Sequence, residues 1–233
     1  MADLELLTDA LSGFARTLAR GSAISEVLTD LAERITAALG VASAGVSVLE
    51  SGKLRFAVAS DERSADLERV QEAVQAGPCV DACLTGKIVT VADLSVTSPG
   101  WGAYQQAARD AGIVAVASVP MRHNGESIGA VDLYSAPQRN WSAADLRAAG
   151  ILADMATGYL VQAWELDRQC RVNEQLREAL DSRIVIEQAK GVLAAERRIS
   201  VDEAFEALRR HARSHAVSLR SVAEAVVGLG LRP

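Results

Sequence analysis

The stretch IEQAKGVLAAERRIS, Ile186 to Ser200, places a Lys-Gly pair in the middle of a helical pattern and ends in adjacent arginines. Arg183, Glu187, Lys190, Ala194 and Arg197 fall along one helical line at spacings of 3 or 4, and Arg209, Arg210, Arg213 and Arg220 follow further on. A narrow row of ammonium and guanidinium groups is chemistry suited to phosphate. Ala189 and Gly191 flank Lys190 with almost no side chain, so a sugar-phosphate backbone or a base could come close to the helix there. The plain alternative is a solvated helix face with a glycine tolerated at a helix crossing, and composition alone favours it.

A second set of reactive residues is Cys79 and Cys83, four apart just after Pro78. On a helix they would share one face near an N-terminus, a position that lowers a thiol pKa and suits a redox switch. Buried cysteine is also a common small hydrophobe. Two thiols with no nearby histidine fall short of a tetrahedral metal site. His211 and His215 have ligand spacing but lack the Glu of an H-E-x-x-H helix and a third ligand. No catalytic set, no cofactor motif and no metal site is therefore expected. Trp101 and Tyr104 could line a small-molecule pocket, with packing as the bland reading. The three cysteines form no disulfide framework.

These residues need elements to position them. Residues 3 to 39 carry two helical patterns, Leu4, Leu7, Leu11, Phe14 and Leu18 in the first and Ile24, Val27, Leu28, Leu31, Ile35 and Leu39 in the second; Ser22 is expected to cap the second and Gly40 to end it. SAGVSVLESGKLRFAVAS predicts a hairpin turning at ESG. Residues 61 to 76 return to helical spacing and stop at Gly77-Pro78, KIVTVADL predicts a strand, and YQQAARDAG a helix closed by Gly112. VAVASVPMRHNGESIGAVDLYS predicts two strands around Asn124-Gly125, the strongest short hairpin signal because both turn positions need positive φ. An antiparallel sheet with helices packed on it, an α+β domain, fits residues 20 to 140.

Ser142 opens a long helical reach without proline. Its seam, Met155, Tyr159, Gln162, Leu166, Gln169, Asn173, Leu176 and Leu180, approximates a coiled-coil repeat, and Asn173 at a core position points to a parallel homodimer. Three helical units follow at about 181–197, 201–215 and 219–228. Ser200 with Glu203 is a capping box, and Ser218 can cap the third helix. The expected apolar stripes are Ile184, Val185, Ala189, Val192 and Leu193; Ala204, Phe205, Leu208 and Ala212; and Leu219, Val222, Ala223, Val226 and Val227.

The 233 residues, 49% hydrophobic and 23% charged, suit two globular domains. No apolar run approaches a bilayer span and the acidic N-terminus is unlike a secretory signal, so a cytoplasmic protein without membrane contact is expected. The net charge is −6, but from Arg171 onward 11 Lys and Arg stand against 9 Asp and Glu. A polyanion-binding tail is compatible with that asymmetry.

SRIVIEQAKGVLAAERRISVDEAFEALRRHARSHAVSLRSVAEAVV resembles an ANTAR domain, the three-helix RNA-binding module of bacterial transcription antiterminators, over residues 172 to 228. The resemblance places the basic and small motif positions on Arg183, Ala189, Lys190, Gly191 and Arg209, with Phe205 as the core aromatic. Arg197 and Arg213 extend that candidate RNA-binding face. Two positions depart from the family pattern: a glycine is usual where Arg198-Ile199 stand and an asparagine is common at Ala216, both in the inter-helix turns. The resemblance implies a dimer holding two RNA stem-loops so that a competing terminator hairpin cannot form. AGPCVDACLTGKIVTVADL, WGAYQQAARDAGIVAVASVPM and NGESIGAVDLYS together resemble a GAF domain of the short type found ahead of ANTAR modules in actinobacteria. That implies a sensor with a pocket between sheet and helices, for which Cys79, Cys83, Trp101 and Tyr104 are the candidate lining, or a ligand-free dimerisation module.

The expected organisation is thus a GAF-like sensor with N-terminal helices at 1–165, a connecting coiled-coil helix at 142–180 and an ANTAR domain at 172–228. The expected function is a non-enzymatic, RNA-binding antitermination regulator, dimeric, with an unidentified small molecule as the sensor ligand. Two other classes compete. One is a GAF-type thiol-dependent methionine sulfoxide reductase using Cys79 and Cys83; the other is a DNA-binding or protein-docking helical bundle, because a basic three-helix unit does not itself distinguish RNA from duplex DNA.

Overall fold

The computed structural model describes residues 4–96 and 100–233, so the expected helix start at Asp3 lies outside the described residues. The chain divides into two compact units, Met1–Trp164 and Glu165–Pro233.

The first unit is an α+β fold around a five-stranded antiparallel sheet. Helices α1 (Leu4–Ala19) and α2 (Ile24–Leu39) precede the hairpin β1 (Ser43–Glu50) and β2 (Lys53–Ala59). Helices α3 (Glu62–Val74) and α4 (Pro78–Thr85), strand β3 (Val89–Val91) and helix α5 (Gly102–Asp110) follow; the hairpin β4 (Ala115–His123) and β5 (Glu126–Ser135) then leads into α6 (Ala143–Arg197). The strand order is β2-β1-β5-β4-β3. The second hairpin turns at Asn124-Gly125 with φ of 50° and 88°, the geometry that favours this dipeptide.

Period-two alternation sends neighbouring side chains to opposite faces, and here both faces are covered. Val131 and Leu133 of β5 join Val46 of β1, Val119 of β4, Leu31 and Ile35 of α2, and Leu152 and Leu160 of α6 in the main core. Asp132 and Tyr134, which alternate with them in sequence, face the other side, where Tyr134 meets Leu67 of α3 and Tyr104 of α5. Gly129 is required on β5, because a Cβ there would run into the Ser47 carbonyl oxygen and Met121.

Several expectations need local correction. Ala23, not Ser22, is the N-cap of α2 and makes no side-chain cap; the Ser22 carbonyl instead accepts the Tyr159 hydroxyl, and Gly40 closes the helix with φ 57°. Helix α3 ends at Val74 with Gln75 left-handed, before Gly77-Pro78. The strand expected over KIVTVADL is three residues long. At the far end of α2, the Arg139 guanidinium donates to the carbonyls of Leu39 (2.9 Å) and Gly40 (3.2 Å) and pairs with Asp145 at 3.2 Å.

The second unit contains the C-terminal part of α6, then α7 (Val201–Ser214) and α8 (Leu219–Gly228). Ala189 and Leu193 of α6 pack with Ala204, Leu208 and Ala212 of α7 and Val222, Ala223 and Val226 of α8. Ser200 and Glu203 form the reciprocal capping box, and Ser218 caps α8 through the Ser221 amide. Both inter-helix turns are left-handed where the sequence lacks the usual Gly and Asn: φ is 55° at Arg198 and 53° at Ala216. The amides of Ile199 and Val217 return to the carbonyls of Ala194 and Ala212, the six-to-one bond of a Schellman ending. Ile184, expected on the core stripe, is half exposed and lies with Leu166, Val172, Leu176 and Leu180 among the uncovered apolar residues of α6.

Candidate functional site

In the second unit, α6 supplies Lys190 and α7 supplies Phe205 and Arg209. Lys190 Nζ lies 5.2 Å and the Arg209 guanidinium 5.6 Å from the Phe205 ring centroid, both in the range where a cation is drawn to the π-face. Glu187 holds the Lys190 ammonium through both carboxylate oxygens at 2.9 Å, and Glu206 holds Arg209 at 2.9 Å. The Lys190 side chain is only 14% exposed, with its stem laid along the protein and its charge at the edge. Phe205 is half-buried, so it is less a core aromatic than a ring shared between core and surface.

Gly191 is exposed, and a Cβ built on it meets nothing within 4 Å. Packing within this chain therefore does not require glycine there, which removes the helix-crossing explanation. Ala189 points the opposite way and is fully buried among the three helices. It cannot touch a surface ligand, and its small size serves helix packing. Arg183 and Arg213 are exposed and make no ion pair among the described residues. Arg213 and Arg210 line a cleft of about 390 Å³ with Glu206 and Ser214. The Arg197 guanidinium contacts the Pro233 carbonyl oxygen. His211 and His215 stack on each other at 4.0 Å.

In the first unit, Cys79, Cys83, Trp101 and Tyr104 are all buried. The Trp101 ring meets Tyr104 edge-on at 6.4 Å. None of the four lines the cleft of about 680 Å³ beside Arg139 or that of about 320 Å³ beside Phe56. Cys79 and Tyr104 instead adjoin a polar cluster whose other members the sequence reading passed over. Glu68 of α3 accepts hydrogen bonds from Ser47 (2.8 Å) and Tyr134 (2.8 Å). Asp132 accepts from Gln71 (2.8 Å) and Tyr134 (3.2 Å), and Gln71 in turn accepts the Cys79 amide (2.9 Å). Gly45 and Gly77 leave the space that Glu68 and Gln71 fill.

Burial pushes Glu68 well above the carboxylate range, and the neighbouring Asp132 adds to this. Asp132 is raised by the same burial, with the neighbouring Ser118 hydroxyl first among the polar groups that hold it back. Both cysteines are buried, as the small-hydrophobe reading has it, and the surroundings of Cys79 do not favour the redox-switch alternative: its contact with Cys83, its burial and the two acids all push the thiol up. The helix N-terminus is outweighed, and the Cys79 amide is already committed to Gln71.

Comparison with known proteins follows the same division. The GAF domain family matches residues 21–160 and the ANTAR domain family residues 174–227. Solved structures of similar fold include the GAF domain from a phosphoenolpyruvate-protein phosphotransferase of Coxiella burnetii, 12% identical with a TM-score of 0.58 over 70% of this chain and 96% of that one. The corresponding GAF domain from Acinetobacter is 13% identical, TM-score 0.55, over 71% and 97%. Free methionine-R-sulfoxide reductase from Neisseria meningitidis, in complex with its substrate, is 19% identical, TM-score 0.53, over 73% and 96%. Identities this low establish a shared fold. No curated protein matches the chain. Among the described residues no helix is long and apolar enough to cross a membrane. With both regulatory modules matched in chain order, the protein belongs to the GAF domain family and carries an ANTAR domain behind it.

Proposed function

We propose that this protein is a transcription antitermination regulator whose ANTAR unit binds paired RNA stem-loops under the control of its GAF unit. The observation that carries the reading is the surface made by Lys190, Gly191, Phe205 and Arg209: two cations on one aromatic ring, with an exposed helical position that has no side chain next to one of them. Stem-loops present unstacked bases that can lie on an aromatic or guanidinium plane while ammonium groups take the phosphates. Arg183 and Arg213 extend this face, and Glu187 and Glu206 are the local counter-ions a phosphate would replace.

The uncovered apolar residues Leu176 (62% exposed) and Leu180 (59%), with Asn173 in the same seam, support pairing of two chains through α6. Two weakly basic units then act at high effective concentration on two adjacent hairpins. Cys79 is fully buried against Cys83 and beside two acids, surroundings that disfavour a thiolate, and this counts against the reductase alternative, which needs a thiolate nucleophile. The test is competition of a labelled two-hairpin RNA against duplex DNA at fixed salt. Preference for RNA, lost in Lys190→Ala, supports the reading; preference for the duplex, or unchanged affinity in Lys190→Ala, refutes it.

A further inference from the structure

Glu68, Cys79 and Asp132 each bring a ligand atom to within 4.8 Å of the others, and all three are buried. The hydrogen bonds into this cluster come from hydroxyls and an amide: Ser47, Tyr134 and Gln71. No lysine, arginine or histidine takes part in them. Two carboxyl groups in a dry interior without a cation are costly to ionise. A second, separate observation lies in what is left unused. Asp132 Oδ1, Ser118 Oγ and Tyr104 Oη are buried without a hydrogen bond of normal geometry. Ser118 stands opposite Asp132 across the β4–β5 pair, and Tyr104 is buried in the same cluster as Tyr134, whose hydroxyl bonds both acids. Buried polar atoms are seldom left this way.

We propose that this cluster is a binding site for one borderline-soft divalent transition-metal ion, of the zinc or ferrous class, ligated by Glu68, Cys79 and Asp132. A thiolate with two carboxylates suits such an ion, whereas magnesium and calcium take all-oxygen shells with more ligands. Tetrahedral zinc sets its ligand atoms about 3.3–3.8 Å apart, so the three groups need to close by no more than about 1.5 Å. The sequence could not show this, because it offered Cys79 and Cys83 as a pair of thiols and gave no reason to bring two acids from α3 and β5 to them. The inference stands apart from the RNA reading and concerns only the GAF unit.

The test uses the full chain with Cys170→Ser, which removes the exposed thiol outside the cluster. After chelation and dialysis the protein is titrated with Co²⁺. The expected result is a thiolate-to-cobalt charge-transfer band that saturates at one equivalent, is displaced by Zn²⁺ and not by Mg²⁺, and is absent in Cys79→Ala and in Asp132→Asn. Because Asp132→Asn alters a buried network, Cys79→Ala is also followed by thermal unfolding. Zn²⁺ should raise the midpoint of the parent and leave that of Cys79→Ala unmoved. Absence of the band in the parent, its persistence in Cys79→Ala, or an equal zinc shift in both proteins overturns the proposal.

Discussion

The ammonium of Lys190 and the guanidinium of Arg209 share the ring of Phe205, at 5.2 Å and 5.6 Å from its centroid, although they come from different helices. The relationship joins α6 to α7 at the surface, above the buried contact of Ala189 with the rest of the small core.

Replacing Lys190 with alanine is expected to remove a charge-assisted contact worth about 1.5–3 kcal/mol to a bound phosphate. That is roughly 10- to 150-fold in RNA affinity. The Lys190–Glu187 pair, open to solvent on its Glu187 side, itself contributes no more than about 1 kcal/mol to the fold. Equilibrium RNA binding beside thermal unfolding of the same protein measures both quantities.

Gly191→Ala separates folding from recognition. Alanine is better than glycine within a helix by about 0.5–1 kcal/mol, and nothing in the chain obstructs a methyl group there. The variant should melt higher and bind RNA more weakly. Higher stability with unchanged RNA affinity would mean that the gap left by Gly191 serves no ligand.

Charge on the exposed seam should break the chain pairing. Leu176→Glu combined with Leu180→Glu places acids on residues that cover nothing in the single chain, so the monomer's stability should be little changed. Sedimentation should move from dimer to monomer, with RNA affinity falling as the second hairpin contact is lost.

Ala216→Gly should stabilise the second unit. A left-handed φ of 53° costs an L-residue about 1–2 kcal/mol, of which glycine's extra chain entropy returns about 0.5–1. The expected gain of up to about 1 kcal/mol is read by denaturant titration.

The capping box should make the second unit acid-sensitive. Hydrogen bonds from the Ser200 amide and then its hydroxyl lower the Glu203 pKa from its ordinary 4.5. A group depressed in the folded state contributes stability that is present above its unfolded pKa and is lost as pH falls through the folded one. Glu203→Gln should therefore flatten the fall in unfolding midpoint below about pH 4.5, without affecting stability's pH dependence near neutrality.

Local signals carried much of the architecture. Asn124-Gly125, Gly40, the Ser200 box and the 3-and-4 spacing of α7 each state their structure within a few residues, and the structure has them there. The basic residues of the ANTAR face were equally visible, but their grouping was not. Ala189 and Lys190 are neighbours in sequence, and only the packing angle of α6 decides that one is sealed and the other remains at the edge. The polar cluster was the least legible part. Asp132 sits between Val131 and Leu133, where alternation normally marks a solvent-facing position, and only a second layer of helices over that sheet face makes it interior. Glu68 belongs to a helix whose charged residues otherwise suggest solvation. Its burial depends on Gly45, more than twenty residues earlier, leaving room.

The clamp of Arg139 on the carbonyls of Leu39 and Gly40 bridges 100 and 99 positions of chain. As the protein emerges from a ribosome, those two oxygens stay with water until the segment after the last strand has been made. A polypeptide cut after Ser135 would own every strand of the sheet and still leave the end of α2 unfastened, so the minimal autonomous first unit extends past the Arg139–Asp145 pair to Leu152 and Leu160 of α6, which complete its core.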